Sequence, residues 1–167
     1  MKLPKLRLTQ LLMAAAVALP TSTLLAAGGD GGGTPEASLD PQYTQAVAQI
    51  KAEQYPAAIK TLESYVARIK TDASAENWLG FAYRKTGQLE PAFVHYNKAL
   101  RIDPNHRGAH EYIGEAYLMA GRLDKAEEHL KVLGRLCWVS CEELEDLKAA
   151  VVAYKANGGV KTGQSKP

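Results

Sequence analysis

The 167-residue sequence has only two cysteines, almost no net charge and no apolar run of membrane-spanning length. Lys and Arg number 20 against 18 Asp and Glu, a formal charge of +2. Such a balance argues against a nucleic-acid partner, because phosphate recognition needs a basic surplus on one face. It also leaves no positive field for a membrane surface. The apolar/polar alternation that marks strands is missing as well. Acidic residues are absent from the start: none precedes Asp30, while Lys2, Lys5 and Arg7 lead into an apolar stretch over 11–19. Pro20 and Thr21-Ser22-Thr23 stop that stretch, well short of the roughly 20 residues that a spanning helix needs.

This basic, apolar, small-residue order reads as a secretory signal peptide over 1–27, ending at Ala26 or Ala27. Removing its three basic residues leaves 17 basic against 18 acidic side chains, a net charge of -1. Leu24 or Leu25 stands three residues before the cut, where a smaller side chain is usual, so an uncleaved anchor is the alternative. No cysteine lies near the cut, so no lipid anchor is expected. Export predicts a periplasmic or secreted protein and puts Cys137 and Cys141 in an oxidising compartment.

Residues 28–38, rich in glycine, bury too little to offset the entropy of ordering and read as a flexible leader. Asn157-Gly158-Gly159 stops the last helical pattern, and 157–167 reads as a disordered tail. Between them, 39–156 carries apolar residues at helical spacing and is expected to form one domain.

An internal period of 34 aligns three segments without a gap: 51–58 (KAEQYPAA), 85–92 (KTGQLEPA) and 119–126 (MAGRLDKA). Each follows a helical pattern of about 12 residues and precedes one of about 14. The middle copy carries Leu79, Gly80, Tyr83, Gly87, Ala92, Tyr96, Ala99 and Pro104. The third keeps Ile113, Gly114, Tyr117, Gly121 and Ala126, with Leu130 in place of an aromatic. The first is degraded, with Ala46, Gln49 and Glu53 at the glycine, tyrosine and turn-glycine positions, but it retains Tyr55, Ala58, Ile59 and Leu62.

These positions resemble the tetratricopeptide repeat. The resemblance implies an all-α, right-handed α-solenoid of three helix-turn-helix repeats, at about 39–72, 73–106 and 107–140, plus a C-terminal capping helix at about 141–156. Physical reasoning agrees. Gly80 and Gly114 let the first helix of a repeat approach its second closely, and Ala92 and Ala126 answer from the other side. Tyr83 and Tyr117 fill the next layer. Gly87 and Gly121 supply the positive-φ turn. Pro56 and Pro91 fit the first turn of a second helix, where a missing N–H costs little, and Asp103-Pro104 ends the second repeat. In the third repeat Trp138 replaces that proline. Ser140-Cys141-Glu142-Glu143 reads as a capping box, opening a helix whose apolar face is Leu144, Leu147, Val151 and Tyr154, a suitable solenoid end.

No nucleophile with a base, phosphate loop or metal cluster stands out, so an enzyme, a cofactor or a metal is not expected. His106 and His110, four apart, make a two-ligand metal site a minor alternative to ordinary surface histidines. Cys137 and Cys141 flank a three-residue loop, and a disulfide there would pin the cap to the last repeat, contributing about 2 kcal/mol. Thiol redox exchange, or metal capture with His129, stays open beside it.

The resemblance also implies a concave groove lined by the first helix of each repeat. Carried over by position, it would present Tyr43, Val47, Ile50 and Lys51, then Asn77, Phe81, Arg84 and Lys85, then Glu111, Glu115, Leu118 and Met119. Phe81, Tyr43 and Leu118 would give apolar contact. Lys51, Arg84 and Lys85 would form a basic patch, and Glu111 with Glu115 an acidic one. These charges could instead merely solvate an open face. The clamp by which some family members grip a C-terminal carboxylate is not expected, because Glu111 and Glu115 fall where it needs positive charge. The expected function is therefore binding of a protein or peptide, as a non-catalytic scaffold of the bacterial envelope. Val152, outside the apolar stripe of the last helix, leaves a homodimer possible.

Overall fold

The computed structural model describes residues 40–159, and the expected signal peptide, leader and most of the expected tail lie outside them. The described residues form seven helices: α1 (Pro41–Lys51), α2 (Tyr55–Arg68), α3 (Ala73–Lys85), α4 (Leu89–Ile102), α5 (Arg107–Met119), α6 (Leu123–Leu136) and α7 (Glu142–Ala156). Pairs α1–α2, α3–α4 and α5–α6 are the three repeats, and each second helix packs on the first helix of the next. No described helix is long and apolar enough to cross a membrane.

The period is written into the turns. Glu53, Gly87 and Gly121 take φ of 56°, 78° and 78°. The next residue reaches back across the turn in every case: Gln54 N–H to Gln49 O at 2.9 Å, Gln88 to Tyr83 at 2.9 Å and Arg122 to Tyr117 at 2.8 Å. This is the paired-hydrogen-bond end that normally selects glycine. Glu53 makes it without glycine, so the degraded first copy keeps the geometry at a backbone cost. Helix starts are capped by Asp40, whose carboxylate accepts from Gln42 N–H at 2.8 Å, and by Asp72, which accepts from Ala75 N–H at 3.0 Å. Both satisfy donors that a first turn leaves orphaned.

Three apolar clusters follow one another along the stack. Leu62, Tyr65 and Leu79 centre the first, Tyr96 and Ile113 the second, and Leu133, Leu147 and Tyr154 the third. The close approach expected at Gly80 is present: a Cβ there would lie 2.7 Å from Tyr96 Cδ1 on α4. At Gly114 the partner differs from the expectation. A Cβ would meet Leu147 Cδ2 of α7 at 2.6 Å, not the second helix of its own repeat. Leu130 holds the place of Tyr96 one period on, and the smaller side chain leaves room for the cap to enter.

The cap also starts differently. Ser140 does not cap α7; Cys141 occupies the cap position without a side-chain hydrogen bond, and Ser140 Oγ instead donates to Glu145 Oε1 at 3.3 Å. The disulfide Cys137–Cys141 joins this cap residue to the residue that ends α6. Its small loop lifts Trp138 and Val139 into solvent, at 99% and 93% exposure.

Candidate functional site

The first helices α1, α3 and α5, with α7 beside them, share one face, and the residues expected to line a groove fall on it unevenly. Ile50 and Leu118 are core residues, so Leu118 offers no contact surface. Tyr43, Val47 and Lys51 border a shallow apolar depression of about 300 Å³ on α1. Met119 is half-buried and Lys85 exposed. Phe81, expected as an exposed anchor, is half-buried in an aromatic cluster. Its ring centroid lies 5.6 Å from Trp78, 5.0 Å from Tyr112 and 6.1 Å from Tyr55. Trp78 and Tyr112 occupy one position a period of 34 apart. That recurrence of large aromatics could have marked them in advance.

The expected basic and acidic patches do not stand apart. Arg84 Nη1 lies 2.7 Å from Glu115 Oε2, with the Arg84 side chain only 11% exposed. Arg84 also donates through Nε to the Tyr96 hydroxyl at 3.3 Å and stands 5.2 Å and 5.5 Å from the Phe81 and Tyr112 centroids. Lys85 Nζ sits 5.6 Å from the Tyr55 ring. The cations are thus held against π faces, and the positive charge of Arg84 is matched within the site.

Toward the N-terminal ends of the same helices, a polar cavity of about 270 Å³ opens between Asn77 and Trp78 of α3, Glu111 and Tyr112 of α5, and Glu143 and Asp146 of α7. Glu111 is 7% exposed and lines the cavity. Burial, then the nearby carboxylates of Glu115, Asp146 and Glu143, push its carboxyl up to about 8, opposed by Arg84. Asn77 is 4% exposed and its Oδ1 has no hydrogen-bond partner.

His106 and His110 are buried rather than superficial. His106 caps α5 by accepting from Ala109 N–H at Nδ1, 3.1 Å, which leaves Nε2 to face Ser74 Oγ at 3.4 Å. His110 turns away from His106: its Nε2 donates to Pro104 O at 3.0 Å, so its Nδ1 accepts from His129 Nδ1 at 2.8 Å. Burial lowers both imidazoles, His129 to about 4, where its neighbour His110 adds to the effect. His129 therefore serves His110, not the cysteines, and the two sulfurs are joined to each other. Among the described residues no group of three or more His, Cys, Asp or Glu is placed to hold a metal ion. The opposite face carries a wider concavity of about 570 Å³ between α2 and α4, bordered by Lys70, Lys98, Arg101 and the pair of half-buried His95 and buried Glu76, with Nδ1 to Oε2 at 2.6 Å.

Residues 80–121 match a family model described as TPR repeat. The solved structure of the type III secretion chaperone SycD of Yersinia enterocolitica with a peptide of the translocator YopD is 22% identical. It covers 72% of this chain and 95% of its own, at a TM-score of 0.64. PcrH in complex with the chaperone binding region of PopD is also 22% identical, covering 75% and 97% at a TM-score of 0.65. MamA (41-end) of Desulfovibrio magneticus RS-1 is 30% identical over 57% of this chain and 54% of its own, at a TM-score of 0.55. No curated protein sequence matches the chain significantly. Residues 80–121 thus match a TPR repeat, and the seven described helices stack as TPR-like helix-turn-helix pairs.

Proposed function

We propose that the chain is a non-catalytic scaffold that binds an extended peptide or a helix of a partner protein along the face of α1, α3 and α5. The observation that carries this reading is the cluster of Trp78, Phe81 and Tyr112 with Arg84 among them. Aromatics and arginine are the side chains that dominate binding hot spots, and here two helices, α3 and α5, hold them in place before any partner arrives. Pre-organisation of this kind reduces the entropy lost on association. Two proteins of similar fold, SycD and PcrH, were solved with peptides of their partners.

The same proposal places the protein in the bacterial envelope as an exported chain. The basic and apolar start of the sequence supports it, and the Cys137–Cys141 bridge suits an oxidising compartment. Val152, 61% exposed on α7, is the residue through which a homodimer would form.

Selection of displayed 12-residue peptides on the purified chain tests the groove. Selected peptides should lose about tenfold or more in affinity for Phe81→Ala and Tyr112→Ala, with helicity unchanged. Unaltered affinity for both variants would sink this reading. Alkylation and mass measurement on protein purified from the envelope, before and after reductant, tests the location: free thiols there would count against it.

A further inference from the structure

The polar cavity beside the aromatic cluster is lined by four carboxylates, Glu111, Glu142, Glu143 and Asp146, and by the amide of Asn77. Asn77 Oδ1 is buried without a donor, Glu111 is 7% exposed on the cavity wall, and Glu111, Asp146 and Glu142 have no ion pair among the described residues. Buried polar groups are normally satisfied, and one that is not needs a cause. Glu143 alone of the cavity carboxylates is offset, by Arg107 Nε at 3.5 Å. The indole of Trp78 and the phenol ring of Tyr112 form apolar walls, and aromatic faces attract cations. A volume of about 270 Å³ is below the usual range for drug-sized ligands, roughly 300–1,000 Å³, and suits one long side chain.

We infer that this cavity is a receptor for a cationic side chain, the lysine or arginine of a bound basic peptide, held between Trp78 and Tyr112 and neutralised by Glu111 and Asp146. The inference deepens the groove reading above and rests on it, since the cavity opens on the same first helices and would fix the register of a peptide lying there. An organic cation fits better than a metal ion, because the carboxylates line the cavity without converging on one point. An ammonium brings three donors and a guanidinium five, which would meet Asn77 Oδ1 and the Glu111 carboxylate together.

Proton linkage gives the site a signature. Glu111, pushed up to about 8, is mostly protonated at neutral pH when the cavity is empty and must ionise to hold a cation. Binding should therefore release a proton below about pH 8, and affinity should fall by up to tenfold per pH unit as the pH drops from 8 toward 6. The other titratable or charged groups facing Glu111 are Tyr43 of α1, Arg84 of α3, His106, Arg107 and Glu115 of α5 and its cap, and Glu142, Glu143 and Asp146 of α7. Glu111→Gln separates the contribution of Glu111 from that of His106.

The test uses N-acetyl-lysine-N-methylamide and its uncharged counterpart N-acetyl-norleucine-N-methylamide, followed through the indole N–H signals of the full chain. Trp138→Phe assigns the two indoles, Trp138 being fully exposed. The lysine probe should shift the Trp78 signal saturably and the norleucine probe should not. Glu111→Gln should weaken the lysine probe about tenfold and remove the pH dependence, with Asp146→Asn, on an exposed position, weakening it about threefold. Equal response to both probes, wild-type affinity in both variants, or the same Trp78 shift with calcium chloride would overturn the inference. Selected peptides that bind through Phe81 without any basic preference would remove the cavity and leave the groove. A lysine probe that binds while Phe81→Ala leaves peptide affinity intact would do the reverse.

Discussion

The contact between Gly80 and Tyr96 can be isolated with three glycine-to-alanine substitutions that share one chemistry and differ in space. In a helix interior this change gains about 1 kcal/mol of propensity. At Gly134 of α6 an added Cβ meets nothing within 4 Å, so Gly134→Ala should show much of that gain. At Gly80 the Cβ would lie 2.7 and 2.8 Å from Tyr96 Cδ1 and Cε1, where carbon contacts want about 3.5–4.0 Å. A fully buried aromatic ring must then retreat by about 1 Å, and overpacking of this kind costs roughly 1–3 kcal/mol. Propensity cancels in the comparison, so Gly80→Ala should be less stable than Gly134→Ala by about 1–3 kcal/mol. Gly114→Ala should fall between, because its obstacle is Leu147, whose branched end can rotate more easily than a ring. Urea unfolding at constant m-value reads the series. Tyr96 also accepts the Nε–H of Arg84, so its displacement should loosen the aromatic cluster and weaken peptide binding in Gly80→Ala alone. Equal stabilisation by Gly80→Ala and Gly134→Ala would refute the packing argument.

Glu53 holds a left-handed φ of 56° that costs a non-glycine residue about 1–2 kcal/mol, so Glu53→Gly should raise stability by about 0.5–1 kcal/mol after glycine's own entropy loss; a lower thermal midpoint would contradict this. Arg84→Ala should cost about 2–3 kcal/mol through the stranded Glu115, whereas Arg68→Ala, half-exposed opposite Asp40, should cost under about 1 kcal/mol; a double-mutant cycle with Glu115→Ala that shows no coupling would reject the pair. Reduction of Cys137–Cys141, or replacement of both by Ser, should cost about 2 kcal/mol from the five-residue loop, with the loss confined by hydrogen exchange to α6 and α7. The lowered His110 and His129 stay neutral in the fold while unfolded imidazoles protonate near 6.5, so this contribution is full above that value. It should be lost as the pH falls below 6.5, down to about 4 for His129, by at most about 1.4 kcal/mol per pH unit for each imidazole. His129→Gln should flatten that slope between pH 7 and 4.5.

What the sequence by itself determined is the part of the fold decided within a few residues of chain. Gly87 and Gly121 specify their turns because a positive φ is a property of the local backbone, and the 34-residue recurrence locates even the turn that Glu53 makes without glycine. Helical spacing placed all seven helices, and the short loop between Cys137 and Cys141 permitted their bridge. The candidate site was legible only in part. Trp78 and Tyr112 stood at one repeat position as a visible signal, but charged residues were readable only as charges. Whether Arg84 would join a basic patch or neutralise Glu115 depends on how far α3 lies from α5, which no single helix encodes. Glu111 and His110 are buried because α7 and α6 close over them, and desolvation belongs to the neighbours rather than to the titrating residue. The entry of Leu147 against Gly114, in room left by Leu130, is likewise a property of three helices packed together. Tertiary structure alone therefore turned a face of mixed polarity into an aromatic cluster with one buried, unpaired acid beside it.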